Sequence, residues 1–193
     1  AKYIMPQIST HFLGLHLNIQ LKRQSPSHFQ EVGNSWQEAQ KRSIGYGDSQ
    51  IFEKAIQSAR MVRDGKATFE RDTVTFHHAE FSHQMLAWML AEYIRSQKLA
   101  VLDFGGGFGS RYFQHKKIFD QLDPFQWGVI EQENIVLAGQ SEFSTNQLCF
   151  ETNIDQLIAK IAPNFLLISS SLQYIEKPYE VLEHLLNKKI PKI

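Results

Sequence analysis

Apolar and polar positions change their spacing near residue 98. Upstream the period is mostly helical. Ser35-Trp36-Gln37-Glu38 reads as a capping box, a serine accepting from a free backbone N–H while a glutamate three residues on reaches back. It opens a helix that stops near Gly45-Tyr46-Gly47. Asp48 or Ser49 caps a second helix with the stripe Ile51, Phe52, Ala55, Ile56, Ala59 and Val62, and Gly65 follows where a left-handed residue is usually needed. Phe69-Glu70-Arg71-Asp72 reads as a short irregular piece. A third helix carries Phe81, Met85, Trp88, Met89 and Tyr93. The first twenty residues support two readings. Leu13, Leu15, Leu17, Ile19 and Leu21 alternate as in a strand, while Ile8, Phe12, Leu15 and Ile19 fit a helical face; the helix is favoured and the strand is its rival.

From Leu99 short apolar runs alternate with helical stretches. The runs are 99–104, Trp127 to Glu131, Gln147 to Phe150 and Phe165 to Ser169; the helical stretches lie at about 109–119, 133–140, 153–161 and 178–187. Continuous apolar strands between helices imply a parallel sheet covered on both faces. The expected fold class is therefore α/β, with a mainly helical region over 1–98 and a Rossmann-like α/β region over 99–193.

Composition narrows the functions open to such a chain. Twenty Lys+Arg balance twenty Asp+Glu, with 12 basic and 9 acidic groups in the first 98 residues and 8 and 11 in the remainder. Neither half has the dense positive field that nucleic-acid binding shows, so no nucleic-acid partner is expected. The longest uncharged stretch, Tyr3 to Leu21, holds Pro6, His11, His16 and Asn18 and is too polar to cross a bilayer, so no transmembrane segment is expected. One cysteine, Cys149, excludes an internal disulfide framework and fits a reducing, cytoplasmic location. Cys149, Trp88 and Met89 read as core.

The informative chemistry lies at Val101-Leu-Asp-Phe-Gly-Gly-Gly-Phe-Gly-Ser110, an apolar strand that runs through an acid and a glycine-dense turn into a helix. Glycines let the backbone turn sharply and let a ligand lie against the main chain. A dinucleotide fingerprint wants G-x-G-x-x-G, which Gly105, Gly107 and Ser110 match only in degenerate form. The spacing Asp-x-Gly-x-Gly-x-Gly is met in full by Asp103, Gly105, Gly107 and Gly109. In this the chain resembles the class I S-adenosylmethionine-dependent methyltransferases. The resemblance implies S-adenosyl-L-methionine as cofactor, its methionine part held by Asp103, Phe104, Gly105, Gly106, Gly107 and Gly109. Glu131, 28 residues beyond Asp103, would grip both ribose hydroxyls, with Gln132 beside it. Asn153 would lie near the adenine, and Ser170, after the fourth strand, near the transferred methyl group. Helices over 35–96 would pack over the mouth of this site.

A closer likeness covers most of the chain. Trp36, Ser43-Ile-Gly-Tyr46, Phe69-Glu-Arg-Asp72, Asp103-Phe-Gly-Gly, Trp127-Gly-Val-Ile-Glu-Gln132 and Ser169-Ser-Ser-Leu-Gln-Tyr174 are similar to a family of bacterial methyltransferase-like proteins. That family is often encoded among genes for surface-polysaccharide assembly, so a small-molecule or glycan acceptor is expected. Ser169-Ser170-Ser171 stands where nucleobase and amide methyltransferases carry an Asn/Asp-Pro-Pro-aromatic motif, which argues against a nucleobase.

A hydroxyl or amine acceptor benefits from a general base. Candidates are Glu70, Asp72, Gln173 and Tyr174; Glu70-Arg71-Asp72 also reads as a structural ion-pair cluster. His77 and His78 are adjacent, so their side chains diverge; with His83 they make a poor metal set, and no metal site is expected. The class I sheet has seven strands, and only four are legible here. The fourth would be an open apolar edge. A fragment, or a homo-oligomer whose partner copy covers the edge, would explain it. A non-catalytic module that assembles with a partner is the rival function, and an NAD-binding enzyme a third.

Overall fold

The computed structural model describes residues 35–42 and 49–193, together with the backbone of 7–12 and 15–20. The chain divides into two compact units, 1–43 and 44–193.

In the smaller unit β1 (Gln7–Phe12) pairs antiparallel with β2 (Leu15–Gln20), Phe12 facing Leu15. The strand reading thus prevails over the favoured helix. The period-two alternation suits a paired strand, and a helix of this length is marginal in water. Helix α1 (Trp36–Arg42) follows, and the Ser35 hydroxyl accepts from the Glu38 N–H at 3.2 Å, one half of the expected capping box. The expected stop at Gly45–Gly47 and the cap at Asp48 lie outside the described residues.

In the larger unit α2 (Ser49–Arg63) ends before Gly65, whose φ is +73°. The stretch read as irregular is a hairpin instead. Strand β3 (Phe69–Arg71) pairs antiparallel with β4 (Val74–Phe76), and the Phe69 and Phe76 rings stack at 4.6 Å. Its tip, Asp72-Thr73, is left-handed at both residues, with φ of 50° and 69°. Such a turn normally announces itself through Asn-Gly or Asp-Gly, and a β-branched residue there gives no signal. Helix α3 (His83–Ser96) follows.

Then come β5 (Leu99–Phe104), α4 (Ser110–Phe119), β6 (Phe125–Ile130), α5 (Glu133–Glu142), β7 (Leu148–Glu151), α6 (Ile154–Ile161), β8 (Phe165–Ile168), a 3-10 turn (Leu172–Tyr174) and α7 (Pro178–Leu186). The sheet order is β7-β6-β5-β8 and every pairing is parallel, giving an α/β, Rossmann-like arrangement. Side chains alternate between two apolar layers. Val101, Trp127 and Val129 pack with α2, α3, α4 and α5, whereas Leu102, Ile130 and Leu166 pack with α6 and α7. Asn164 ties these parts together. Its Oδ1 accepts from the Ala100 N–H at 2.7 Å and its Nδ2 donates to the buried Glu92 at 3.0 Å.

Close approach between layers fixes two glycines by size. A Cβ on Gly128 would run into the Leu157 side chain, and one on Gly139 would stand 2.6 Å from the Phe150 ring. Gly139→Ala gains about 1 kcal/mol of helix propensity and loses about 1–3 kcal/mol to overpacking. A net loss of stability is expected, read as a lower urea midpoint at unchanged slope; a gain would show that the Phe150 ring yields freely.

Three surface expectations change. Trp88 is not core but 60 % exposed, with the Lys192 ammonium 5.1 Å from its ring centre, while Met89 is fully buried. Cys149 is half-buried. The β8 edge is partly covered. The Leu166 N–H donates to the Lys192 carbonyl at 2.8 Å, and Lys192 bridges Phe165 in parallel. No described helix is long and apolar enough to cross a membrane.

Candidate functional site

The sheet order brings the ends of β5, β6 and β8 side by side, and the glycine bend starts from the middle one. Asp103 faces the larger apolar layer and is completely buried. Its one described hydrogen bond comes from the Trp127 indole N–H to Oδ2 at 3.2 Å. Burial pushes its pKa up to about 7, with the Glu131 charge adding to the rise; Trp127 and the Arg111 guanidinium pull the other way. Gly106 passes so near that any Cβ would collide with this carboxyl.

The bend turns through left-handed residues at Gly105, Gly107 and Gly109, with φ of 74°, 58° and 83°. Gly105 still continues the sheet, its N–H donating to the Ile130 carbonyl at 2.9 Å. A Cβ there would stand 2.5 Å from that of Ser171, so the loop after β8 leans directly on the bend. Phe108, inside the bend, meets Phe52 of α2 edge-on at 5.9 Å. Phe104 is half-buried against the opposite layer.

Glu131, just past β6, turns its carboxylate onto the bend. Oε1 accepts from the Gly107 N–H at 3.2 Å and Oε2 from the Gln132 N–H at 2.9 Å. Burial holds its pKa above the usual range against these two donors. The Gln132 side chain is exposed at the start of α5. Asn153 is exposed and caps α6, Oδ1 accepting from the N–H groups of Asp155 at 2.9 Å and Gln156 at 3.1 Å. Its oxygen is thereby engaged in the helix.

The four base candidates separate. Gln173 and Tyr174 are exposed on the 3-10 turn, Tyr174 by 68 %, and neither side chain has a described hydrogen bond to the bend. Asp72 is exposed at the hairpin tip. Glu70 alone of the four reaches α4, accepting from the Ser110 hydroxyl. Burial raises its pKa and Asp72 adds to this; Ser110, the Thr73 N–H and Arg111 oppose it. Arg71 turns the other way and pairs with Glu80 at 2.7 Å, so Glu70-Arg71-Asp72 is not one ion-pair cluster. What meets the start of α4 is thus a β-hairpin, alongside α2.

Ser170 is exposed with φ of 59°. Its neighbour Ser171, part of the same serine run but given no role by the motif reading, has a buried hydroxyl with no hydrogen-bond partner among the described residues. Two residues of α4 were equally silent in the sequence. Arg111 donates to the Ser82 hydroxyl and to Gln114 Oε1. His115 is fully buried; the Ser82 N–H donates to its Nε2 at 2.9 Å, so its Nδ1 is the nitrogen that donates to the Arg111 carbonyl, at 2.8 Å. Burial lowers the pKa of this imidazole, and its hydrogen bond to the Arg111 carbonyl opposes the shift. Its role is to anchor the start of α3. No group of three or more His, Cys, Asp or Glu among the described residues is arranged to hold a metal. The groove of about 370 Å³ beside α2 and β4, bordered by Lys54, Met61 and Thr75, is lined by no residue of the bend.

Comparison with protein families, with curated proteins and with solved structures brings no match to this chain.

Proposed function

We propose that this chain binds S-adenosyl-L-methionine at the glycine bend and is a class I methyltransferase for a small-molecule or glycan acceptor. One observation carries the reading. The carboxylate that ends β6 is turned onto the bend that ends β5, through the Gly107 N–H. A carboxylate in that position has lone pairs left for two neighbouring ribose hydroxyls. Buried Asp103 feels the negative charge of Glu131 and the positive charge of one guanidinium, Arg111. A dinucleotide would add two phosphate charges to that balance, whereas a sulfonium nucleoside brings positive charge. The charge argument therefore favours the sulfonium.

In this reading the backbone of Gly105 to Gly109 accommodates the methionine part, Glu131 clasps the sugar, and Asn153 borders the adenine. The sulfonium supplies an already activated leaving group, so the methyl passes in line to the acceptor. The protein's work is then to align the acceptor and exclude water. Glu70, the base candidate that reaches the bend's helix, is placed to hold a proton there. The chain's single cysteine supports a cytoplasmic setting.

Calorimetry with adenosylmethionine, adenosylhomocysteine and NAD tests the assignment. Glu131→Ala is expected to cost roughly 1–3 kcal/mol of cofactor binding. Unchanged affinity overturns it. A second reading, a non-catalytic module assembled with a partner, draws on β8, whose outer edge has no described pairing besides that of Phe165 and Leu166 with Lys192. Silence toward all three ligands favours the module.

A further inference from the structure

The groove of about 370 Å³ between α2 and the hairpin has no part in holding the methyl donor. Glu53, Lys54, Gln57 and Met61 form its α2 border, their spacing setting them on one side of the helix. Thr73 and Thr75 form the border on the hairpin. Two links join this groove to the bend. Phe52, next to Glu53, meets Phe108 of the bend edge-on at 5.9 Å. Thr75 stands opposite Glu70 in the hairpin register, and residues directly opposite share one face of a strand pair. On that face Glu70 reaches Ser110 of α4 while Thr75 borders the groove. Thr73 gives its N–H to the Glu70 carboxylate from a left-handed backbone with φ of 69°. That conformation is rare for a β-branched residue, and such strain gathers where a ligand is clamped.

The lining also restricts the ligand. One ammonium, Lys54, and one carboxylate, Glu53, leave it without net charge. Among the described residues no hydrogen bond engages the side chains of Lys54, Gln57, Thr73 or Thr75. Together these groups donate and accept, which matches a ligand whose every hydroxyl does both. An anionic ligand would meet Glu53 as well as Lys54, and an apolar one would leave the polar groups unpaired. The volume lies within the range of about 300–1,000 Å³ usual for small-molecule sites.

Resting on the methyl-donor reading above, we propose that this groove is the acceptor site and that it takes a neutral saccharide. Lys54, Gln57, Thr73 and Thr75 hold the sugar hydroxyls, and one free hydroxyl is directed past Thr75 toward Glu70. The bend and the groove are then separate sites that meet at the hairpin.

An array of neutral and acidic saccharides probed with the labelled full chain tests the ligand class. Neutral saccharides are expected to retain the protein; retention by acidic ones alone, or by none, overturns the proposal. Titrating the best neutral saccharide into the ¹⁵N-labelled chain tests the place. Amide shifts at Lys54, Gln57, Thr73 and Thr75 are expected, and shifts confined to other surfaces overturn it. Gln57→Ala combined with Thr75→Val removes two hydrogen-bonding groups and should weaken the saccharide by roughly 5- to 150-fold. Its affinity for adenosylhomocysteine should stay unchanged. Undiminished saccharide binding by this variant overturns the proposal, as does an equal loss for both ligands, which marks a general disturbance of the fold. The two readings fail separately. Saccharide binding without adenosylhomocysteine binding overturns the methyl-donor reading and the groove's role as acceptor site. Adenosylhomocysteine binding without saccharide binding overturns this inference alone.

Discussion

Asp103→Asn is expected to stabilise the fold at about pH 8, by at most about 4 kcal/mol less the cost of its unpaired amide donors, relative to its effect near pH 4, the amide being a neutral isostere of the buried carboxyl. The sign follows from linkage. An acid whose folded pKa is raised to about 7 binds its proton more tightly in the native chain than in the unfolded one. The wild type therefore holds its full stability below the unfolded value near 4 and loses it progressively as the pH rises to about 7. Asparagine has no such slope. The indole N–H of Trp127 finds an amide oxygen in place of the carboxylate, so the one polar contact in the pocket persists. Urea unfolding of both proteins at the two pH values checks this, and parallel pH profiles would sink it. Under the proposed function the same variant should bind adenosylmethionine more weakly, since it removes a negative charge from beneath the bend proposed to hold a cationic ligand. Opposite movements of stability and binding at this one side chain would support the proposed function.

Gly105→Ala is expected to cost about 2–5 kcal/mol, the sum of two effects that can be measured apart. A left-handed backbone at φ +74° costs any residue with a Cβ about 1–2 kcal/mol. The added methyl would also stand 2.5 Å from the Ser171 Cβ, and forcing atoms into a filled space costs about 1–3 kcal/mol. Gly65 provides the control. Its φ is +73°, yet nothing lies within 4 Å of the position a Cβ would take. Gly65→Ala should therefore show the backbone part alone. If the two substitutions cost the same by chemical denaturation, the loop after β8 is not packed on the bend. A larger loss at Gly105 ties β5, the bend and the Ser169–Ser171 segment into one rigid wall of the proposed site.

The readings that held share a local cause. From Leu99 onward each strand and each helix carries its own period, and the structure places all four strands and all four helices within a few residues of the expected bounds. The glycine bend was equally visible, because a chain reversal through left-handed residues demands glycine at fixed positions. The readings that changed share a different cause. The Asp72-Thr73 tip lacks the glycine that usually marks such a turn, so the hairpin was hidden and with it the route by which Glu70 reaches Ser110. Trp88 sits in the same helical stretch as Met89 and shares its composition signal. Only the direction of the α3 surface separates the exposed ring from the buried thioether.

The sequence by itself determined the α/β alternation, the bend and the acid 28 positions beyond Asp103, since period, backbone sterics and residue type are properties of short segments. The tertiary structure alone decided that Glu131 turns toward Gly107, that Ser171 abuts Gly105, that Glu70 reaches Ser110 at the start of α4, and that Arg111 reaches Ser82 at the start of α3. These meetings join residues 24 to 66 positions apart, or separate elements of the chain. Their geometry is set by which strand ends the sheet order places together and by how far each side chain is withdrawn from water. Neither quantity is written in any local stretch of the chain.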